Sequence, residues 1–125
     1  MVEGIQQPLK KSRLTAARRK EFSAKFRDWL EKAGCRIYFT ETGGAEFVGM
    51  ARSVDIVRYD DGKPMDTVCW EAFPAGMSDD DCLAFAVDRF CRGKSTVGNF
   101  KALGVETASS LDEFELKMAV IQPVD

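Results

Sequence analysis

The chain has 125 residues, 45% of them apolar, and contains no histidine. This size is enough for one domain with a core of its own. The missing imidazole excludes Ser-His-Asp and Cys-His nucleophile pairs, histidine zinc sites and a proton shuttle near pH 7. The net charge of −2 conceals a split, because residues 1–36 hold ten lysines and arginines against four acids, a net +6, which leaves −8 for the rest.

Hydropathy gives no sign of a membrane segment. No stretch approaches 18 consecutive apolar residues, and Met1 to Lys11 is polar and charged. We therefore expect neither a membrane span nor a secretory signal, and a cytoplasmic or virion location. The cysteines lack the C-x-x-C spacing of metal and redox motifs, so we predict that they are reduced core residues. Together with the missing histidine, this spacing predicts no metal, no cofactor and no enzymatic activity. The four cysteines are Cys35, Cys69, Cys82 and Cys91.

The first predicted element is a helix from about Ser12 to Ala33, preceded by a polar basic arm at residues 1–11 and ended by Gly34. Residues 12–125 are predicted to form a single domain. Arg18 and Arg19 take up the apolar face near the start of the helix, so we expect its first turns to project past the body. The apolar residues at three- and four-residue spacing, which we predict to be buried, are Phe22, Phe26, Trp29 and Leu30.

Three runs rich in β-branched and aromatic residues follow and predict an antiparallel meander. Gly43-Gly44 separates the first two runs, and Asp60 to Pro64 separates the last two, both with residues typical of hairpin turns. The predicted strands are Cys35 to Thr40, Glu46 to Tyr59 and Met65 to Phe73.

A second helix is predicted from Ser78 to about Arg92. It opens with Ser78-Asp79-Asp80-Asp81, a cluster of carboxylates that could suggest a metal site. Helix capping is the better interpretation, because Ser78 suits the N-cap, Asp81 suits the third helical position, and acids are favoured by the helix dipole. A calcium loop would need further oxygen ligands, which the apolar residues that follow do not supply.

The end of the chain fits two structures. Phe114, Leu116, Met118 and Val120 alternate as in a strand, whereas Leu111, Phe114 and Met118 also fit a helical face. Pro123 and the β-branched pair Val120-Ile121 favour a final strand from about Glu113 to Gln122. The predicted fold class is therefore α+β, with an N-terminal helix, an antiparallel β-meander, a second helix and a closing C-terminal strand.

The basic N-terminal segment is the candidate interaction surface. It could bind phosphates, bind the acidic body of another copy, or be a solvated helix face. Aromatic residues on the predicted strands could stack on bases, but the acids around them favour packing in a core or an interface. The seven bases without an acid at helical spacing, which form the predicted surface, are Lys10, Lys11, Arg13, Arg18, Arg19, Lys20 and Arg27.

The order of the predicted elements resembles that of tail-terminator and tail-completion proteins at the neck of tailed bacteriophages. Residues 69–83 are similar to their passage from a strand through a proline-containing turn into an acidic helix start, and residues 113–122 are similar to their last strand. The resemblance implies a non-enzymatic ring subunit that contacts copies of itself and neighbouring proteins. The alternative is a nucleic-acid-binding protein, or a regulatory or inhibitor protein, that uses the basic helix. Neither function needs a membrane.

Overall fold

The computed structural model describes residues 14–41 and 52–121, which form an antiparallel sheet and helices around one apolar core. The predicted α+β class, the N-terminal helix and the meander are confirmed. No helix in these two ranges is long and apolar enough to cross a membrane. In chain order the elements are α1 (Ala16–Lys32), β1 (Cys35–Glu41), β2 (Arg52–Asp60), β3 (Lys63–Phe73), α2 (Asp79–Cys91), β4 (Val97–Gly98), a 3-10 helix (Phe100–Leu103) and α3 (Leu111–Val120).

Helix α1 begins and ends with local signals. The Thr15 side chain accepts a hydrogen bond from the Arg18 backbone N–H at 3.2 Å, which satisfies one free donor of the first turn. Gly34 follows the last turn with φ +80°, a left-handed conformation that glycine adopts without strain. The predicted apolar face is confirmed, since Phe22, Phe26, Trp29 and Leu30 are all buried.

The sheet has the strand order β1-β2-β3-β4 and is antiparallel throughout. Asp61 and Gly62 both have positive φ, which is the backbone of a tight hairpin turn between β2 and β3, as the Asp-Gly pair predicts. The observed β2 starts at Arg52; the predicted beginning of this strand at Glu46, like the Gly43-Gly44 turn, lies outside the described residues.

Helix α2 has the predicted cap. Ser78 accepts a hydrogen bond from the Asp81 backbone N–H at 3.1 Å, and three aspartates occupy the first turn. Its apolar face includes Leu83 and Val87, and it packs beside α1 on the sheet. The capping interpretation of the acidic cluster is therefore confirmed.

The predicted closing strand is wrong, because residues 111–120 form helix α3. Ser110 accepts from the Glu113 backbone N–H at 3.2 Å, and the Glu113 carboxylate accepts from the Ser109 backbone N–H at 2.7 Å. The Ser109 hydroxyl also donates to Glu113 at 2.6 Å. The two hydrogen bonds from the Ser109 side chain and backbone, with Lys117 nearby, lower the pKa of Glu113 to about 2. A serine three residues before a glutamate, ahead of an apolar run, is a helix-start signal that the strand prediction overlooked.

The helical spacing of α3 decides which side chains reach the core. Phe114 and Met118, four residues apart, are buried, whereas Leu116 and Val120 are 69% and 80% exposed. The Phe114 ring lies at the centre of the aromatic cluster, with ring centroids 5–6 Å apart. Its neighbours are Phe22, Phe26, Trp29, Phe90 and Phe100.

The short strand β4 is held by a buried carboxylate. Glu71 is fully buried and accepts hydrogen bonds from Arg89 at 3.0 Å and from the Thr96 backbone N–H at 2.7 Å. This fixes the segment that leads from α2 into β4. Gly98 then lies so close to Ser95 that a Cβ atom would come within 2.8 Å of the Ser95 Cβ, which makes glycine necessary there.

Candidate functional site

The predicted basic surface is only partly available to a partner. Lys10, Lys11 and Arg13 lie outside the described residues, and Lys20 is exposed. The other three bases form ion pairs with carboxylates of the same chain. They are Arg18, Arg19 and Arg27.

Arg18 connects α1 to α3. Its guanidinium lies 2.8 Å from a carboxylate oxygen of Asp112 and 2.8 Å from one of Glu115, and its side chain is only 14% exposed. Lys25, two turns further along α1, reaches Glu115 at 2.6 Å. Burial alone would raise the pKa of Glu115, but the hydrogen bonds from Lys25 and Arg18 bring it below its ordinary value.

Arg19 and Arg27 connect α1 to the acidic start of α2. The Arg19 Nε lies 2.6 Å from Asp81, and its guanidinium also donates to the Leu14 carbonyl at 2.7 Å. Arg27 lies 3.6 Å from Asp80. The expectation that the first turns of α1 project past the body is therefore wrong for Arg18 and Arg19. The basic face acts as an internal clasp, in which the cations of α1 meet acids from α2 and α3.

Charge reversal at two neighbouring positions of α1 should distinguish a residue of the internal clasp from a residue of the solvated helix face. We expect Arg19→Glu to lower the free energy of unfolding by about 1.5–3 kcal/mol, since it removes charge-assisted hydrogen bonds and places two acids together. Lys20→Glu makes the same change in charge at an exposed position and should stay within about 0.5 kcal/mol of the wild type. Urea denaturation of both variants measures the difference. Equal losses would contradict the clasp.

The sheet has a second face, opposite the helices. Val54 and Ile56 of β2 are buried against the core, and Glu71 of β3 reaches Arg89 of α2. Side chains alternate along a strand, so Asp55 and Trp70, the neighbours of these residues, point to the other side. We call this side the open face.

One row of four side chains crosses the open face. Tyr38 of β1 is in register with Asp55 of β2, Asp55 with Trp70 of β3, and Trp70 with Val97 of β4. Tyr38 is 39% exposed and Val97 is 38% exposed. An acid thus lies between two aromatic residues, with an apolar side chain beyond. We call these four residues the Tyr-Asp-Trp-Val row.

Asp55 is an unusual member of this row. Its Oδ1 atom is buried, and it accepts no hydrogen bond in the part of the chain that the structure describes. Burial also raises the pKa of Asp55 above its ordinary value. A buried carboxylate oxygen without a donor costs free energy. The Asp55 residue as a whole is only partly buried, so a rotation of its side chain would bring this oxygen to a donor at the surface.

A cation already contacts an aromatic ring beside the row. The Arg36 guanidinium lies 4.1 Å from the centroid of the Tyr59 ring, and the Tyr59 hydroxyl is 2.5 Å from that of Tyr38. The sequence predicted packing in a core or an interface for the strand aromatics, but it did not place Asp55 among them. Alternation along Val54-Asp55-Ile56 could have shown that Asp55 faces away from the core, whereas its two aromatic neighbours depend on strand register.

The cysteines form no site in these ranges. Cys35, Cys69 and Cys82 are buried, and Cys91 is partly buried. Burial raises the pKa of the Cys35 and Cys82 thiols to about 11, which keeps them protonated at neutral pH. Across residues 14–41 and 52–121, no three cysteines or acids are arranged to hold a metal ion.

Comparison with known proteins identifies no relative of this chain. No protein-family model, no curated protein and no solved structure matches the chain.

Proposed function

We propose that this chain is a non-catalytic assembly protein that acts through protein–protein contacts, in the first place with copies of itself. The open face carries the proposal. Tyr38 and Val97 remain more than a third exposed there, at the two ends of the row that also contains Asp55 and Trp70. Aromatic residues are enriched in the central parts of protein interfaces, where they contribute large contact areas.

Association of copies also agrees with the distribution of charge. The described part of α1 uses Arg18, Arg19 and Arg27 internally, but Lys20 stays exposed and the preceding segment adds further bases. Acids on the body of a second copy could meet these cations and set the orientation of the two chains. By the resemblance to phage neck proteins, a closed ring is the proposed form of the assembly.

Nucleic-acid binding through α1 is the alternative, and the ion pairs weigh against it. A phosphate would have to displace Asp112, Glu115 or Asp81 from arginines that hold them at 2.6–2.8 Å. Only the exposed bases could contact a duplex without that loss. Binding would then be weak and steeply dependent on salt.

Sedimentation velocity across a range of concentrations tests the proposal. We expect the wild type to associate at ~100 μM, because about a kilocalorie or more per well-placed aromatic residue is typical of interface centres. The double variant Tyr38→Ala/Trp70→Ala should remain monomeric at the same concentration. Leu116→Ala on α3 removes another exposed apolar side chain, away from the sheet, and serves as the matched control that should associate as the wild type does.

Circular dichroism must show that both variants are folded. A wild type that is monomeric at ~100 μM and binds duplex DNA, with affinity falling steeply as salt rises, would support the alternative instead. A wild type that is monomeric at this concentration and does not bind DNA would contradict both proposed functions.

A further inference from the structure

We infer that Asp55, between Tyr38 and Trp70, is the receptor for a lysine or arginine side chain of the partner protein. The inference rests on the proposed function, since it names what the open face recognises. Three observations carry it: the register of the row, the unsatisfied carboxylate, and the charges around it.

Strand register sets the dimensions of the receptor. Neighbouring strands lie about 4.8 Å apart, so the aromatic side chains on β1 and β3 flank the carboxylate on β2 at a combined separation of about 10 Å. We place one ammonium or planar guanidinium group above Asp55, between these two side chains. Aromatic faces attract cations, and the carboxylate below supplies the opposite charge.

The unsatisfied carboxylate selects the charge of the ligand. The buried Oδ1 of Asp55 lacks a donor among the described residues. An anion such as a phosphate would be repelled, and a neutral apolar group would bury the charge without compensation. A metal ion would need several oxygen ligands, whereas the neighbours in this row are aromatic and apolar. A cationic side chain supplies both the donor and the charge.

The arginines closest along the strands are engaged elsewhere. Arg36 stacks on the Tyr59 ring at 4.1 Å, and Arg58 donates to Asp66 at 2.6 Å. The contact between Arg36 and Tyr59 is also an example of the proposed chemistry, a guanidinium on a tyrosine of the same sheet. Arg52, on the same strand as Asp55, pairs with Asp79. Among the described residues Asp55 therefore has no paired cation, and we place its cation on a second chain.

The experiment titrates the full chain with N-acetylarginine methylamide and follows the two indole N–H signals by NMR, assigned with Trp70→Phe. We expect saturable shifts of the Trp70 indole and of the Asp55 and Tyr38 amides, with half-saturation at concentrations on the order of millimolar. The Trp29 indole, which donates to the Ile121 carbonyl in the core, should not shift. The matched ligand N-acetylcitrulline methylamide has nearly the same shape without the charge and should bind at least about tenfold more weakly.

Asp55→Asn keeps the shape of the side chain and should weaken binding of the arginine compound at least about tenfold. Asp60→Asn removes the same charge from an exposed position at the end of β2 and should bind as the wild type does. Equal binding by Asp55→Asn and the wild type would contradict the proposal that Asp55 is the receptor. Equal shifts with the citrulline compound and the arginine compound would contradict it too.

The two proposals can fail separately. Probe binding in a chain that stays monomeric would contradict self-association and leave the receptor in place. Self-association without any shift of Trp70 in the monomer would contradict the receptor and leave the assembly role.

Discussion

Replacing Glu71 with alanine is expected to lower the free energy of unfolding by about 3–5 kcal/mol, the usual cost of breaking a buried ion pair by removing one partner. The carboxylate is fully buried and holds both Arg89 and the Thr96 backbone N–H. Without it, Arg89 keeps a charge over the Phe73 ring with no acid beside it in the described structure. Urea denaturation measures the loss, and amide hydrogen exchange at Thr96 and Gly98 should accelerate because the segment before β4 loses its anchor.

An exposed ion pair of the same sheet provides the control. Arg58 and Asp66 lie 2.6 Å apart, but their side chains are 35% and 46% exposed. Asp66→Ala should therefore cost no more than about 1 kcal/mol. A similar loss for Asp66→Ala and Glu71→Ala would show that burial does not set the strength of these pairs.

Replacing Phe114 with alanine is expected to cost about 3–5 kcal/mol, because it leaves a cavity among five other aromatic rings. The side chain is fully buried, and its ring lies 5.1 Å from that of Phe100 and 5.9 Å from that of Phe26. The cluster joins α1, α2, α3 and the short 3-10 helix, so a cavity there weakens four elements at once. Chemical denaturation monitored by near-UV circular dichroism measures the loss.

Leu116→Ala distinguishes the helix from the strand that the alternation suggests. In a strand, Phe114 and Leu116 would face the same side and both truncations would be costly. In α3 they lie about 200° apart around the helix axis, and Leu116 is 69% exposed. We therefore expect Leu116→Ala to stay within about 0.5 kcal/mol of the wild type. Comparable losses for the two variants would contradict α3.

Local signals predicted most of the fold. The apolar spacing of Phe22, Phe26 and Leu30 predicted the buried face of α1, and Asp61-Gly62 predicted the hairpin. Ser78 with Asp81 predicted the start of α2. These succeed because a helical face, a tight turn and a helix cap each depend on residues within a few positions of one another.

The last element was mispredicted because short apolar segments satisfy two periods at once. Phe114, Leu116 and Met118 alternate, yet Phe114 and Met118 also lie four residues apart, and propensity cannot separate these patterns over ten residues. The decision comes from the cap at Ser110 and from the position of Phe114 in the aromatic cluster. The cap was visible in the sequence, whereas the cluster was not.

The sequence by itself determined the α+β class, the face of α1 that is buried and the unequal division of charge between residues 1–36 and the rest. Only the tertiary structure decided what those charges meet. Arg18 reaches Asp112, 94 positions away, and Arg19 reaches Asp81, 62 positions away. The Tyr-Asp-Trp-Val row likewise needs four strands in a fixed register. Periodicity and capping act within a few residues, whereas ion pairs and cross-strand neighbours depend on how distant segments pack.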